Sequence, residues 1–228
     1  MRNVTKIFLT IAAVLYIQHA EAQVSLGVKL GVNVADTRVD GLIDNLIADQ
    51  TKYSGYTAGI MAEIPITDAL SFRPELNYIQ KGFVVAQSFD VNLLGIDMPI
   101  GAKAKTRINY VEMPLLMKYT YGNDQASVYA IAGPNIAYAT SASLRPVASI
   151  IIDFNLPRVD INLGNDIYNR MELSGVLGAG GEVKAGHGKI FSDVRYNLGF
   201  TNMLNNPIVD LRIKNQGFNI TAGYAYTF

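Results

Sequence analysis

Apolar residues occupy every second position along most of the chain after residue 23. In the last stretch, GFNITAGYAYTF, the residues on one side of an extended chain are Phe218, Ile220, Ala222, Tyr224, Tyr226 and Phe228, because successive side chains of a strand point to opposite faces. VSLGVKLGVNV, at 24–34, repeats the pattern with valine and leucine. No stretch has a helical period long enough to compete, so the pattern predicts strands throughout.

Six further segments bring the predicted strands to eight. They are YTAGIMAEIPI, SFRPELNYIQKG, RINYVEMPLLMKYTY, ASVYAIAGPNIAYAT, MELSGVLGAGGEVKA and IFSDVRYNLGF. The fifth strand along the chain, ASVYAIAGPNIAYAT, is apolar on both sides, so its facing stays open. The tight turns ITDA, GNDQ and GHGK alternate with long connections at roughly 35–53, 82–105 and 141–170, and a shorter one at 203–211. This alternation predicts an all-β fold: an eight-stranded antiparallel transmembrane β-barrel with short periplasmic turns and long extracellular loops.

The polar face of the predicted strands carries glycine and charges of both signs. Its charged residues are Glu63, Glu75, Glu112, Glu172, Glu182 and Asp193, with Lys29, Arg73, Lys81, Lys118, Lys184 and Arg195. Buried charges are costly unless they are paired, so six acids against six bases favour a lumen charge network, with the apolar face toward lipid. The alternative is a soluble periplasmic β-barrel or sandwich, in which the apolar face points inward.

The start of the chain predicts export. Arg2 and Lys6 precede the apolar run IFLTIAAVLYI, and Ala20-Glu21-Ala22 follows it, which is the pattern of a cleaved signal peptide. We therefore expect a signal peptide at 1–22, a barrel domain at 23–228 and a location in the outer membrane. The chain has no cysteine, which excludes disulfides, thiolate metal sites and a lipoprotein anchor.

Charge excludes a further class of partner. Of 19 bases and 19 acids, Arg2, Lys6 and Glu21 leave with the signal peptide, so 17 bases remain against 18 acids. A nucleic-acid-binding protein needs a basic patch, and this balance gives no sign of one. We expect no nucleic-acid partner.

The final strand offers a second targeting feature. Its alternating Tyr224 and Tyr226 and the terminal Phe228 resemble the C-terminal signal by which outer-membrane proteins are recognised for barrel insertion. The alternative is an ordinary closing strand that ends in phenylalanine.

Several motifs together resemble one family. GVKLGVN, RPELNYIQKG, NYVEMPLLMKY and DVRYNLGFTN, with the C-terminal phenylalanine, are similar to the PorT-type outer-membrane β-barrel proteins of Bacteroidetes, along essentially the whole mature chain. The resemblance implies an eight-stranded outer-membrane barrel. It implies little about activity, although one namesake takes part in the type IX secretion pathway.

The residue inventory argues against catalysis and cofactors. Histidine is the commonest general base near neutral pH; His19 leaves with the signal peptide and His187 lies in a turn on the predicted periplasmic side. Asp153, Asp160 and Asp166 offer oxygen ligands in the third long connection, but the spacing lacks the closing glutamate of an EF-hand. We expect no enzyme activity, no cofactor and no metal site.

The sequence thus predicts a non-enzymatic barrel with a charge-plugged lumen, whose role is structural or depends on partners bound by its long loops. Eight strands leave an interior just wide enough for side chains. The alternatives are an accessory of a type IX-like secretion pathway and a narrow small-solute channel. The expected partners are outer-membrane lipid and lipopolysaccharide, the barrel assembly machinery during biogenesis, and an envelope protein bound through the loops.

Overall fold

The computed structural model describes residues 24–40, 50–93, 96–149, 153–163, 169–201 and 212–228. These ranges contain ten strands. They are β1 (Ser25–Asp40), β2 (Gln50–Pro65), β3 (Leu70–Leu93), β4 (Ile96–Gly122), β5 (Ala126–Ser149), β6 (Asp153–Asn155), β7 (Val159–Ile161), β8 (Met171–Ala185), β9 (Gly188–Gly199) and β10 (Arg212–Thr227). The predicted signal peptide lies outside the described residues.

Eight of these strands close a barrel. Each pairs antiparallel with its neighbours in the order β1, β2, β3, β4, β5, β8, β9 and β10. β10 then pairs with β1 from Ser25 opposite Thr227 to Asp40 opposite Arg212, which closes the ring. The short β6 and β7 pair with β5 beyond the point where β8 begins. The predicted all-β, eight-stranded antiparallel barrel is confirmed.

The barrel has short turns at one end and longer segments at the other, as the sequence predicts. Parts of the longer segments are strands. Short turns at 66–69, 123–125 and 186–187 lie at one end, here called the turn end, beside Val24 and Phe228. The other end is called the hairpin end. The long connection at 82–105 consists largely of strand extensions, because β3 continues to Leu93 and β4 begins at Ile96. Residues 35–40 likewise extend β1, whereas the connection after residue 201 lies outside the described residues.

Apolar side chains cover the outside of the barrel. Val28 is 62% exposed, Leu30 70% and Leu177 65%, whereas Arg73 and Lys118 are fully buried. This distribution is the reverse of a water-soluble barrel, in which apolar residues fill the interior and charges face water. The outer surface is therefore suited to lipid.

The structure also resolves the facing of β5. Val128 points outward and is 60% exposed, whereas Tyr129, Ile131 and Asn135 point inward and are buried. The sequence leaves this strand ambiguous because its inward side chains are as apolar as its outward ones. Within the described ranges, no helix is long and apolar enough to cross a bilayer.

Candidate functional site

The barrel interior holds the charged residues that the strand alternation brings to one face. Eleven of the twelve predicted side chains are buried there: Lys29, Glu63, Arg73, Glu75, Lys81, Glu112, Lys118, Glu172, Glu182, Asp193 and Arg195. Lys184 is the exception, and its prediction is wrong. It lies next to the last residue of β8, at the rim of the turn end, where a side chain on the inward face of the strand reaches solvent.

Lys189 forms the ion pair at the turn end of the interior that the sequence predicts for Lys184. It begins β9 beyond the turn and lies opposite Lys184 in the register. Its Nζ is 2.8 Å from Glu182 Oε1. Its side chain is 39% exposed, so Lys189 adds a sixth base at the edge of the interior beside the buried Glu182.

The charges nearest the turn end form the lower cluster, composed of Glu63, Lys118, Glu182 and Lys189. Lys118 Nζ is 2.8 Å from Glu63 Oε1 and 2.6 Å from Glu182 Oε2. Ser127 donates a 3.1 Å hydrogen bond to Glu182. One fully buried ammonium thus joins two carboxylates that would otherwise repel each other.

The middle cluster contains three bases and two acids: Lys29, Arg73, Arg195, Glu75 and Asp193. The Arg195 guanidinium bridges the two carboxylates, at 2.7 Å from Glu75 Oε2 and 2.6 Å from Asp193 Oδ1. Lys29 also forms an ion pair with Glu75. Arg73 Nε is 3.0 Å from Glu75 Oε1. Each carboxylate is shared by more than one cation, which compensates part of the cost of burial.

Aromatic rings inside the barrel complete this cluster. Arg73 lies 4.6 Å from the centre of the Phe191 ring, and Lys118 lies 4.6 Å from the centre of the Tyr129 ring. The Tyr129 hydroxyl donates to Asp193 Oδ2 at 3.0 Å. The ring of Tyr129 therefore connects the lower and middle clusters. Sequence analysis names neither ring. Tyr129 lies in a strand that is apolar on both sides, whereas Phe191 shares the face of Asp193 and Arg195, so the alternation of β9 was the signal that could have placed it inside.

The upper cluster lies toward the hairpin end and consists of Lys81, Glu112 and Glu172. Lys81 Nζ is 2.8 Å from Glu172 Oε1 and 3.6 Å from Glu112 Oε2. Asn135 donates to Glu112 at 3.1 Å. The cluster carries two acids and one base, which offsets the excess base of the middle cluster.

Apolar side chains fill the space around and between these clusters. One buried group comprises Met61, Leu116, Tyr129, Ile131, Val176, Phe191 and Ala225. Another, closer to the hairpin end, comprises Ile79, Ile108, Tyr110, Ala137, Ala139, Ala142 and Leu163. Buried side chains therefore occupy much of the interior that the structure describes.

The residues of the predicted insertion signal lie on the outer surface of β10 at the turn end. Tyr224 and Tyr226 are partly exposed, and Phe228 is 72% exposed. The Phe228 ring meets the Tyr226 ring edge-on, with centres 4.9 Å apart, and its backbone N–H bonds to Val24 O at 3.1 Å. The signal stays a prediction, which replacing Phe228 and measuring the yield of membrane-inserted protein would test.

The candidate chemical residues outside the interior are not brought into a site. His187 is exposed in the turn between β8 and β9, and its ring lies 6.2 Å from the centre of the Tyr226 ring. Asp153 begins β6 and Asp160 lies in β7, while Asp166 lies outside the described residues. In the part of the chain that the structure covers, no three His, Cys, Asp or Glu residues are grouped so as to hold a metal ion.

A sequence model of one family, the outer membrane protein beta-barrel domain, matches residues 18–205. This chain belongs to that family. The match spans most of the chain and, with the apolar exterior, makes the protein an outer-membrane β-barrel. β10 lies beyond the matched residues and is placed by its pairing with β1 and β9.

A search of solved structures matches several proteins along most of their length. The attachment invasion locus protein Ail of Yersinia pestis is 14% identical, with a TM-score of 0.39, covering 90% of this chain and 99% of that one. OprG of Pseudomonas aeruginosa is 11% identical, with a TM-score of 0.46, covering 91% and 97%. The protease OmpT of Escherichia coli is 11% identical, with a TM-score of 0.35, covering 90% and 97%. A search of curated protein sequences finds no match.

Proposed function

We propose that this outer-membrane barrel is a non-enzymatic protein of the cell surface, with a closed interior, that binds a protein partner through its projecting hairpin. The proposal includes an origin among the PorT-type proteins of Bacteroidetes and cleavage after Ala22. These finer assignments are supported by the sequence motifs and by the basic and apolar start of the chain.

The packed interior supports a structural role for the buried charges. All three clusters pair their acids with bases, and apolar groups fill the gaps between them. Moving a solute through would require breaking buried ion pairs, which is costly. This packing argues against the narrow channel.

The observation that carries partner binding is the β3–β4 hairpin. β2 pairs with β3 only as far as Val85, and β5 pairs with β4 only from Gly101. Between them, residues 86–93 and 96–100 form two paired strands whose outer edges have no partner strand among the described residues. The longer strand extends about 25 Å, at roughly 3.3 Å for each residue.

Such a hairpin is suited to binding an extended segment. Two strands alone are marginally stable in water, and each open edge presents backbone N–H and C=O groups to an added strand. A partner strand would therefore supply both stability and specificity. An envelope protein with an extended segment is the expected partner, and a secretion component is one candidate of that kind.

A photo-reactive amino acid placed at Ser88 in intact cells tests this proposal. We expect a discrete cross-linked protein from position 88 and none from the matched position Asp68, in a short turn at the other end. Replacing 86–100 with an Asn-Gly turn should abolish the partner's retention without preventing barrel folding.

The outcomes separate the alternatives. A secretion component at position 88 would identify the protein as a secretion accessory. Equal cross-linking from both positions, or retention of the partner by the shortened hairpin, would contradict the proposal.

A further inference from the structure

We propose that the partner of the β3–β4 hairpin adds an extended segment to the β3 edge, along residues 86–92, and not to the β4 edge. This inference rests on the function proposed above and names the edge that performs it. A strand accepts another strand only where its backbone N–H and C=O groups point outward. The register of the hairpin determines that direction for every residue.

Backbone groups in an antiparallel pair point alternately toward the paired strand and away from it. Below the first pair of β3 and β4, the N–H of Thr120 donates to the carbonyl of Ala69 at 2.8 Å, so these opposite residues form a hydrogen-bonded pair. The register continues without a shift to Leu93 opposite Ile96. Odd-numbered residues of β3 and even-numbered residues of β4 therefore face each other with their backbone groups. The remaining residues point these groups to the outer edges.

Two prolines in the barrel wall agree with this assignment. Pro74 is even-numbered, so its nitrogen faces β2, and the pairing of β2 with β3 omits it while the pairing with β4 includes it. Pro114 faces β3 by the same rule, and the pairing of β3 with β4 omits it while the pairing with β5 includes it. Proline has no N–H to give to a ladder. Each gap therefore lies on the side that the assignment requires.

The two edges of the hairpin consequently differ in chemistry. On β3, the four even-numbered residues from 86 to 92 point N–H and C=O groups outward, over about 20 Å of strand. On β4, Asp97 and Pro99 point outward, and Pro99 supplies no N–H. β2 pairs with β3 only as far as Val85, and no described strand pairs with the β3 edge beyond it. A strand added there would continue the sheet in line with β2.

This difference selects the β3 edge. A strand added to β4 would bring a carbonyl against the ring of Pro99 with no donor to meet it, which is how edge prolines discourage further pairing. A strand added to β3 meets a donor and an acceptor at every second residue. The partner that this edge fits is an envelope protein with an extended segment of about seven residues. That segment needs N–H groups, and so no proline, at the alternate positions that face β3.

Single prolines on the two edges test the inference, because each removes one outward N–H and leaves the β3–β4 hydrogen bonds intact. The measurement is how much of the protein cross-linked from position 88 of the unaltered barrel co-purifies with each tagged variant from gently solubilised outer membranes. We expect Ser88→Pro to reduce co-purification by about tenfold or more, since the added strand loses a donor and meets a ring. Asp97→Pro, its match on the β4 edge, should leave co-purification within about twofold of the unaltered barrel.

Two more variants separate the backbone from the side chain and from folding. Ser88→Ala keeps the N–H and should leave co-purification unchanged. Asp90→Pro removes the next outward N–H of β3 and should repeat the loss seen with Ser88→Pro. A heat-dependent shift in gel mobility checks that every variant is folded.

The outcomes distinguish this inference from the function on which it rests. Loss with Asp97→Pro but not with Ser88→Pro would overturn the choice of edge. Unchanged co-purification in every proline variant, or equal loss with Ser88→Ala, would overturn strand addition. Loss of the partner when residues 86–100 are replaced would still leave binding by the hairpin in place. Capture of a second, differently tagged copy of this barrel instead of an envelope protein would overturn the class of partner.

Discussion

Single residues in this barrel are informative because its interior charges are buried and depend on one another for partners. Lys118 is fully buried and contacts Glu63 and Glu182 at once. Removing one partner of a buried ion pair leaves an uncompensated charge, which costs far more than the pair itself contributes.

Lys118→Met should therefore destabilise the barrel strongly. We expect the free energy of unfolding to fall by about 3–5 kcal/mol, since two carboxylates would share one site without the ammonium that joins them. Urea unfolding in lipid vesicles measures this change.

The matched control is Lys184→Met, at an exposed position beside the turn. It should change the free energy of unfolding by no more than about 0.5 kcal/mol. Similar losses from both substitutions would show that the lower cluster is not required for stability.

The same two lysines show what sequence can predict at the scale of residues. Alternation assigns Lys118 to the interior because it lies within a long regular strand. It does not show that Lys184 lies at the rim, where the interior opens to solvent. It cannot place Tyr129 either, because that strand is apolar on both sides. The pairing of particular acids with particular bases depends on the stagger of neighbouring strands, which one sequence does not contain.

At the scale of elements, closure of the barrel depends on the close approach of β1 and β10. A Cβ atom on Gly31 would lie 2.2 Å from Ile220 O and 2.7 Å from a Thr221 methyl carbon. Backbone atoms cannot yield as a flexible side chain can, so this position needs glycine for lack of space.

Gly31→Ala should consequently weaken the β1–β10 seam. We expect a loss of about 1–3 kcal/mol in the free energy of unfolding, as in other overpacked sites, and a smaller fraction of protein that resists unfolding by detergent without heating. The reason is steric, so a larger side chain at position 31 should be worse.

Gly181→Ala is the companion measurement on β8. A Cβ atom there meets only Ser127 O, at an ordinary 3.7 Å, so the barrel should tolerate it. Equal effects of the two alanine substitutions would contradict the close-approach explanation.

The bounds of the turns and strands could be predicted from the sequence only in part. The chain pattern predicts the three short turns because their polar and glycine residues interrupt the apolar alternation. It marks the stretch from 82 to 105 as a long connection that could hold strand extensions, and β3 and β4 do continue into it as paired strands. VVAQSFDV keeps a strand-like pattern, but only the pairing with β4 shows that the strands continue.

At the scale of the whole molecule, the central claim is that the apolar face meets lipid and the charged face is enclosed. The chain contains no tryptophan, so a single introduced tryptophan reports on one position. Leu30→Trp and Leu177→Trp place the probe on the outer surface. Phe191→Trp and Tyr129→Trp place it among the buried aromatic residues of the interior.

The decisive measurement is quenching of these four single tryptophans by brominated acyl chains in lipid vesicles. The account predicts strong quenching at positions 30 and 177 and little at 191 and 129. Quenching at the interior positions, with none at the outer ones, would contradict the orientation of every strand and the account built on it.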